Sequence, residues 1–204
     1  PIVTIATSSG TGSEINCWGV ISNPETHEKI GFGYPELVPV LSIVDPELMR
    51  TVPPKYTAYQ GFDALFHNTE VMISNGVNIL SETMALSAIE HIAKYLPKAV
   101  ANGYDLEARE AVAYGSTVAG ITMQLTNTTA QHSMEHAMSA YHPNLPHGAG
   151  LIMISKAFAE FFIEKHACDQ QFIKMARAMG IPGADKPEDF ITALVNLQKA
   201  CGVD

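Results

Sequence analysis

The sequence predicts a mostly α protein, a helical bundle preceded by a short β-rich strip. Two observations predict it. Up to residue 52 the apolar runs are short, rich in Val and Ile, and bounded by Gly, Ser, Asn and Pro. After Pro53-Pro54 they lengthen and recur at spacings that hold one face of a helix. This change of pattern divides the chain into a β-rich strip over 1–52 and a helical unit over 53–204.

The strand candidates come first: IVTIAT (2–7), CWGVIS (17–22) and VPVLSIVD (38–45). A helix over 54–73 is entered by proline in its first turn, where the missing N–H costs nothing. The next, over 76–95, places Ile79, Met84, Leu86, Ile89 and Ile92 on one face and is expected to end before Pro97. Asp105 is placed to cap a helix over 106–126, and a further helix covers 129–141. The apolar stretch 148–165 reads as a buried helix. Amphipathic helices over 168–179, closed by Gly180-Ile181-Pro182, and over 187–200 complete the series.

Of the 204 residues, 47% are apolar and 16% charged, a globular composition with length enough for one ample core. A net charge of −9 and no Lys/Arg cluster exclude a nucleic-acid backbone as partner. Apolar runs are interrupted well short of a membrane span. Cys17, Cys168 and Cys201 are too few and too scattered for a disulfide framework, and with no apolar leader segment they point to the cytoplasm. The chain opens on Pro1 rather than Met, as a piece of a longer polypeptide would.

Chemistry concentrates in two places. Asp63 and His67, four apart, share one helix face, as do His132 and His136, with His147 eleven residues beyond. Singly, each has an ordinary reading as a surface or locally satisfied polar residue. Together, in apolar surroundings, a carboxylate and several imidazoles suit a divalent first-row metal. His27, His91, His142 and His166 lack such surroundings. A competing reading exists, since His132-Ser133-Met134-Glu135-His136 fits the H-x-x-E-H string of a zinc hydrolase, with Glu135 activating water. It leaves Asp63, His67 and His147 without a role. The small-residue loop Ala6–Glu14 follows a strand, and its backbone amides are free to approach a nucleotide, although it matches neither GxGxxG nor a P-loop.

Three segments, GTGSE at 10–14, GFDALFH at 61–67 and HSMEHAMSAY…PHGAG at 132–150, occur together in one order. With them the chain resembles the iron-containing (group III) alcohol dehydrogenase family over essentially its whole length, and most closely the butanol-dehydrogenase-like branch, to which Glu135 and HGAGL belong. The resemblance implies the dehydroquinate synthase-like fold of that family and metal ligands at Asp63, His67, His132 and His147. It places His136 beside substrate and nicotinamide, as a proton relay or as a wall of the pocket. It sets Thr7 and Ser8 against the cofactor, and Lys29 near its ribose or phosphates. Fe2+ is the implied metal, with Zn2+ admitted by the same donors; NAD or NADP is the implied cofactor, and a small alcohol and its aldehyde the substrates. The stretch from His132 to His147 is one residue longer than the common pattern, which a bulge at His142-Pro143-Asn144 would absorb. The family's N-terminal Rossmann-like domain and its last helices have no counterpart in these residues. The chain is therefore expected to be inert alone, and to associate with itself through the cleft that domain would cover.

Overall fold

A computed structural model describes residues 1–204, as four short strands followed by seven helices. Strand β1 (Val3–Ala6) pairs in parallel with β4 (Leu41–Val44), while β2 (Trp18–Asn23) and β3 (Glu28–Gly33) form an antiparallel hairpin. Three of these match the sequence expectation; β3 is an addition. Its sequence, EKIGFG, holds two glycines and two charged side chains, a weak strand former alone. Pairing with β2 over six residues supplies what local preference lacks.

The β1–β4 pair is turned inside out relative to an ordinary surface sheet. Its outward side chains, Val3, Ile5, Leu41 and Ile43, are apolar and exposed. Its inward ones are Ala6, Val44 and two hydroxyls, Thr4 donating to Ser42 Oγ at 2.9 Å and Ser42 donating in turn to the Glu14 carbonyl.

Helix α1 (Pro54–Ile73) is the axis of the molecule, buried without interruption from Gly61 to Ile73. Against it lie α2 (Ile79–Ala101), α3 (Leu106–Leu125) and α5 (His147–Glu164), while α4 (Ala130–Tyr141) packs on α5 and on β3. Helices α6 (Asp169–Ala178) and α7 (Glu188–Ala200) pair with each other and close one end. Phe62, Leu65, Phe66, Ile89, Ile92, Leu96 and Leu151 form the centre of the apolar core. Each such side chain contributes about 1.5–3 kcal/mol by leaving water. Gly61 is required here, because a Cβ at that position would stand 2.2 Å from Leu96 Cδ1.

Helix α2 does not end before Pro97 but runs through it to Ala101. A proline inside a helix removes one backbone bond and costs about 3 kcal/mol. Leu96 and Ala99, fully buried on either side of it, hold the helix straight through by tertiary packing. The start of α2 is set by Asn78 and Ser81, which form a reciprocal capping box. Asp105 caps α3 as its sequence position predicts, accepting from the Ala108 amide at 3.0 Å.

The glycine-rich loop after β1 is fastened by close backbone contact. Gly12 has φ +59°, and a Cβ there would lie 2.5 Å from the Gly120 nitrogen in the middle of α3. Gly10 backs onto α1, where its Cβ would meet the Gln60 carbonyl at 3.0 Å and Asp63 Oδ2 at 3.1 Å. The loop's glycines thus seat the strip on the helical unit.

Candidate metal centre

Asp63, His67 and Glu70 occupy one stripe of α1, at positions i, i+4 and i+7. A polar stripe on the most buried helix of a protein needs partners. It finds them in the first turns of α4 and α5. His132 lies in the first turn of α4 and His147 is the first residue of α5, so both helix starts aim an imidazole at α1. Asp63 Oδ1 is the focus, 3.3 Å from His132 Nε2, 3.5 Å from His147 Nε2 and 3.5 Å from His67 Nδ1.

The donor atoms of Asp63, His132 and His147 all lie within 4.8 Å of one another. His67 stands beside them, its ring stacked on that of His132 with centroids 4.2 Å apart. Its buried Nδ1 has no hydrogen-bond partner, an orphan that a cation would satisfy. One carboxylate and three imidazoles are chemically right for a divalent first-row metal, so the residues present fit the ion expected of them.

Behind two of the imidazoles stand buried glutamates. The far nitrogen of His132, Nδ1, bonds to Glu70 Oε2, and the far nitrogen of His147 bonds to Glu135 Oε2. Each carboxylate holds a proton on Nδ1 and leaves Nε2 to face Asp63, the arrangement that orients metal-binding histidines. Glu70 was not among the residues singled out from the sequence; its place on the stripe of Asp63 and His67 is the signal that identifies it. Gly150 is needed to admit Glu135, whose Cγ would lie 2.9 Å from a Cβ there.

The protonation pattern follows from burial and close charges. Burial acts to raise the Asp63 carboxyl, but the charge of His67 and hydrogen bonds from His132 and His147 outweigh it and hold the group well below its usual range. Burial pushes His67 down to about 4, against the pull of Asp63. It also acts to lower His132, which the bonds to Asp63 and Glu70 nevertheless raise to about 9. His136 is pushed down to about 4, by burial first and then by the charges of Lys29, His147 and His132.

His136 stands next to this group, its ring centroid 5.5 Å from that of His147 and 6.4 Å from that of His132. Lys29, from β3, reaches across to α4. Its Nζ donates to Glu135 Oε2 at 3.2 Å and to Ser139 Oγ at 2.8 Å, and lies 3.4 Å from His147 Nδ1. Thr7 and Ser8 are exposed at the start of the loop beside the site. Of the H-x-x-E-H string, His132 is engaged by Asp63 and Glu70, and Glu135 is fully buried and bonded to His147 and Lys29 rather than standing free to activate a water. Three of the four remaining histidines have local partners. His27 stacks on Tyr141, His91 bonds to the Ser87 carbonyl, and His166 pairs with Asp169.

Two family models match the chain, "Fe-containing alcohol dehydrogenase family, C-terminal" over residues 57–204 and "Iron-containing alcohol dehydrogenase" over residues 1–46. The 1,3-propanediol dehydrogenase of Klebsiella pneumoniae is 34% identical over all of this chain and 53% of its own length. The choline dehydrogenase of Bacillus subtilis is 34% identical over 89% of this chain and 44% of its own. Among solved structures, an archaeal alcohol dehydrogenase from a Red Sea brine pool superposes with a TM-score of 0.94 at 32% identity, covering 100% of this chain and 52% of its own. A sulfoacetaldehyde reductase from Bifidobacterium kashiwanohense, solved with NAD+, gives a TM-score of 0.87 at 31% identity over 99% of this chain and 52% of its own. The chain thus spans about half the length of the relatives it matches. Agreement in sequence and backbone from end to end places the chain in the iron-containing alcohol dehydrogenase family.

Proposed function

We propose that this chain is the metal-binding part of an NAD(P)-linked alcohol dehydrogenase that interconverts a small primary alcohol or diol and its aldehyde by hydride transfer. The observation that carries this reading is the convergence of three imidazoles from three helices on Asp63 Oδ1, in a buried site backed by two glutamates. Asp63, His67, His132 and His147 would hold Fe2+, or Zn2+ on the same donors. When bound, such an ion supplies Lewis acidity toward the substrate oxygen, and the nicotinamide carries the redox equivalents.

The chain's own residues do the rest. Asp63 gives the site its one anionic donor, so three neutral imidazoles leave it net positive, as stabilising an alkoxide requires. His136, beside the His147 and His132 rings, is placed to relay the alcohol proton toward solvent or to form a wall of the substrate pocket. Half-buried at the rim, it is the one histidine of the group not committed to Asp63. Thr7 and Ser8, exposed on the loop after β1, are the groups assigned to the cofactor. Lys29 is assigned to the same face, with its ammonium shared between Glu135 and any cofactor oxygen that approaches. The substrate class is an alcohol and its aldehyde.

The test is metal content by plasma mass spectrometry after loading with Fe2+ or Zn2+, for the unaltered chain and Asp63→Ala. About one ion per chain, lost in the variant, is expected. Retention of a full equivalent by Asp63→Ala would show that the metal sits elsewhere.

A further inference from the structure

We propose that Glu70 is a positioning residue of the metal centre, one that sets which nitrogen of His132 carries a proton and thereby makes that imidazole a ligand. The inference rests on the metal-centre reading above. It comes from how the two oxygens of Glu70 are used. Oε1 accepts three hydrogen bonds at the start of α4, from the Thr129 amide at 2.8 Å, the Thr129 hydroxyl at 2.6 Å and the Gln131 amide at 3.0 Å. Thr129 does not cap α4 with its own side chain, so Glu70 supplies the cap from the neighbouring helix. Oε2 is left for His132 Nδ1 alone. Glu70 is wholly buried, so neither oxygen has water as an alternative.

Two of the three donors on Oε1 are backbone amides and cannot reverse. They lock the orientation of whatever side chain stands at position 70. In Glu70→Gln, an almost isosteric change, the amide oxygen must take the Oε1 place, because the NH2 group there would meet two N–H groups with none satisfied. The NH2 is then forced into the Oε2 place, where it donates to His132 Nδ1. A Nδ1 that accepts requires the proton on Nε2, the atom that faces Asp63, and a protonated Nε2 cannot bind a metal. The variant keeps the cap and the packing and inverts the tautomer.

Glu135 provides the contrast. Its Oε2 accepts from both Lys29 and His147, and its Oε1 has no partner. Glu135→Gln is therefore free to place its oxygen toward Lys29 and His147, leaving the tautomer of His147 as it is. The same substitution behind two ligands of one site has opposite consequences, because the fixed donors hold the amide oxygen away from His132 in one case, and in the other the Lys29 ammonium holds it toward His147.

The experiment is Zn2+ affinity by competition with a chromophoric chelator, for the unaltered chain, Asp63→Ala, Glu70→Gln and Glu135→Gln, with helix content measured on the metal-free proteins. Changes in residues behind metal ligands commonly cost 10–100-fold in affinity. Glu70→Gln is expected at about 100-fold with helix content unchanged, and Glu135→Gln at less than about 10-fold. Equal affinity of Glu70→Gln and the unaltered chain would overturn the proposal while leaving the metal centre standing. No Zn2+ bound by the unaltered chain, or none lost in Asp63→Ala, would overturn the metal centre and the proposal with it. Should Glu70→Gln not fold, nitrogen NMR of the Zn2+-loaded unaltered chain decides. A proton on His132 Nδ1 protected from exchange supports the assignment; one that exchanges freely with water refutes it, since ligation through Nε2 alone would put a proton there without Glu70.

Discussion

Gly12 and Cys201 show how much single residues carry outside the metal centre. Gly12 combines a left-handed backbone with contact against α3. Gly12→Ala is expected to destabilise the chain by about 1–3 kcal/mol from backbone strain alone, and by more from the clash with Gly120, read as a lower urea midpoint. Burial pushes the Cys201 thiol up from about 9 to about 12. The sign is then fixed: the folded chain keeps a proton that the unfolded chain releases above pH 9. This contribution is complete below pH 9 and declines as pH rises toward 12. Thiol titration at pH 8 should modify Cys17 before Cys201, and Cys201→Ala should flatten the alkaline fall in stability. Legibility at this scale depended on sequence distance. Asp63 with His67, and His132 with His136, could be read because one helical turn joins each pair. The pairing of Lys29 with Glu135 spans 106 positions and has no periodic signature, so only the fold reveals it. Glu70 lay between these cases, one further turn along a stripe whose first two members were already in view.

Elements were legible where a local signal coincided with the tertiary demand. Helix α1 begins at Pro54 and α3 after Asp105 because proline and a capping carboxylate are sufficient starting signals in any context. The end of α2 was misread for the converse reason, since Pro97 is a stop signal that the burial of Leu96 and Ala99 overrides. Pro97→Ala restores a backbone bond without altering that packing, and is expected to raise the melting temperature of the chain. Asn78→Ala removes one half of the capping box, and about 1 kcal/mol of stability is expected to go with it, measurable by urea unfolding. The hairpin of β2 and β3 was only half visible. Its second strand has little strand preference, and its placement relies on Lys29 and on the stacking of His27 upon Tyr141.

At the scale of the whole molecule, three chain segments distant in sequence are brought to one point by Asp63, His132 and His147. An ion there would tie α1, α4 and α5 together, and chelation is expected to lower the melting temperature of the loaded chain. The inverted β1–β4 pair leaves Val3, Ile5, Leu41 and Ile43 as an exposed apolar face beside the site loop. The isolated chain is expected to self-associate through it, and Ile5→Lys with Ile43→Lys to reduce that association in sedimentation velocity. No helix is long and apolar enough to cross a membrane. Helix α4 differs from its neighbours in what it hides: the side chains it buries completely are Gln131, His132 and Glu135, all polar. Hydrocarbon burial gives unfolding its positive heat-capacity change, so a helix that hides little of it adds little to that change when it comes away. The release of α4 would barely alter the heat-capacity change of unfolding and would be plain in amide exchange, where its protection would rise and fall with the metal while the rest of the bundle stayed closed.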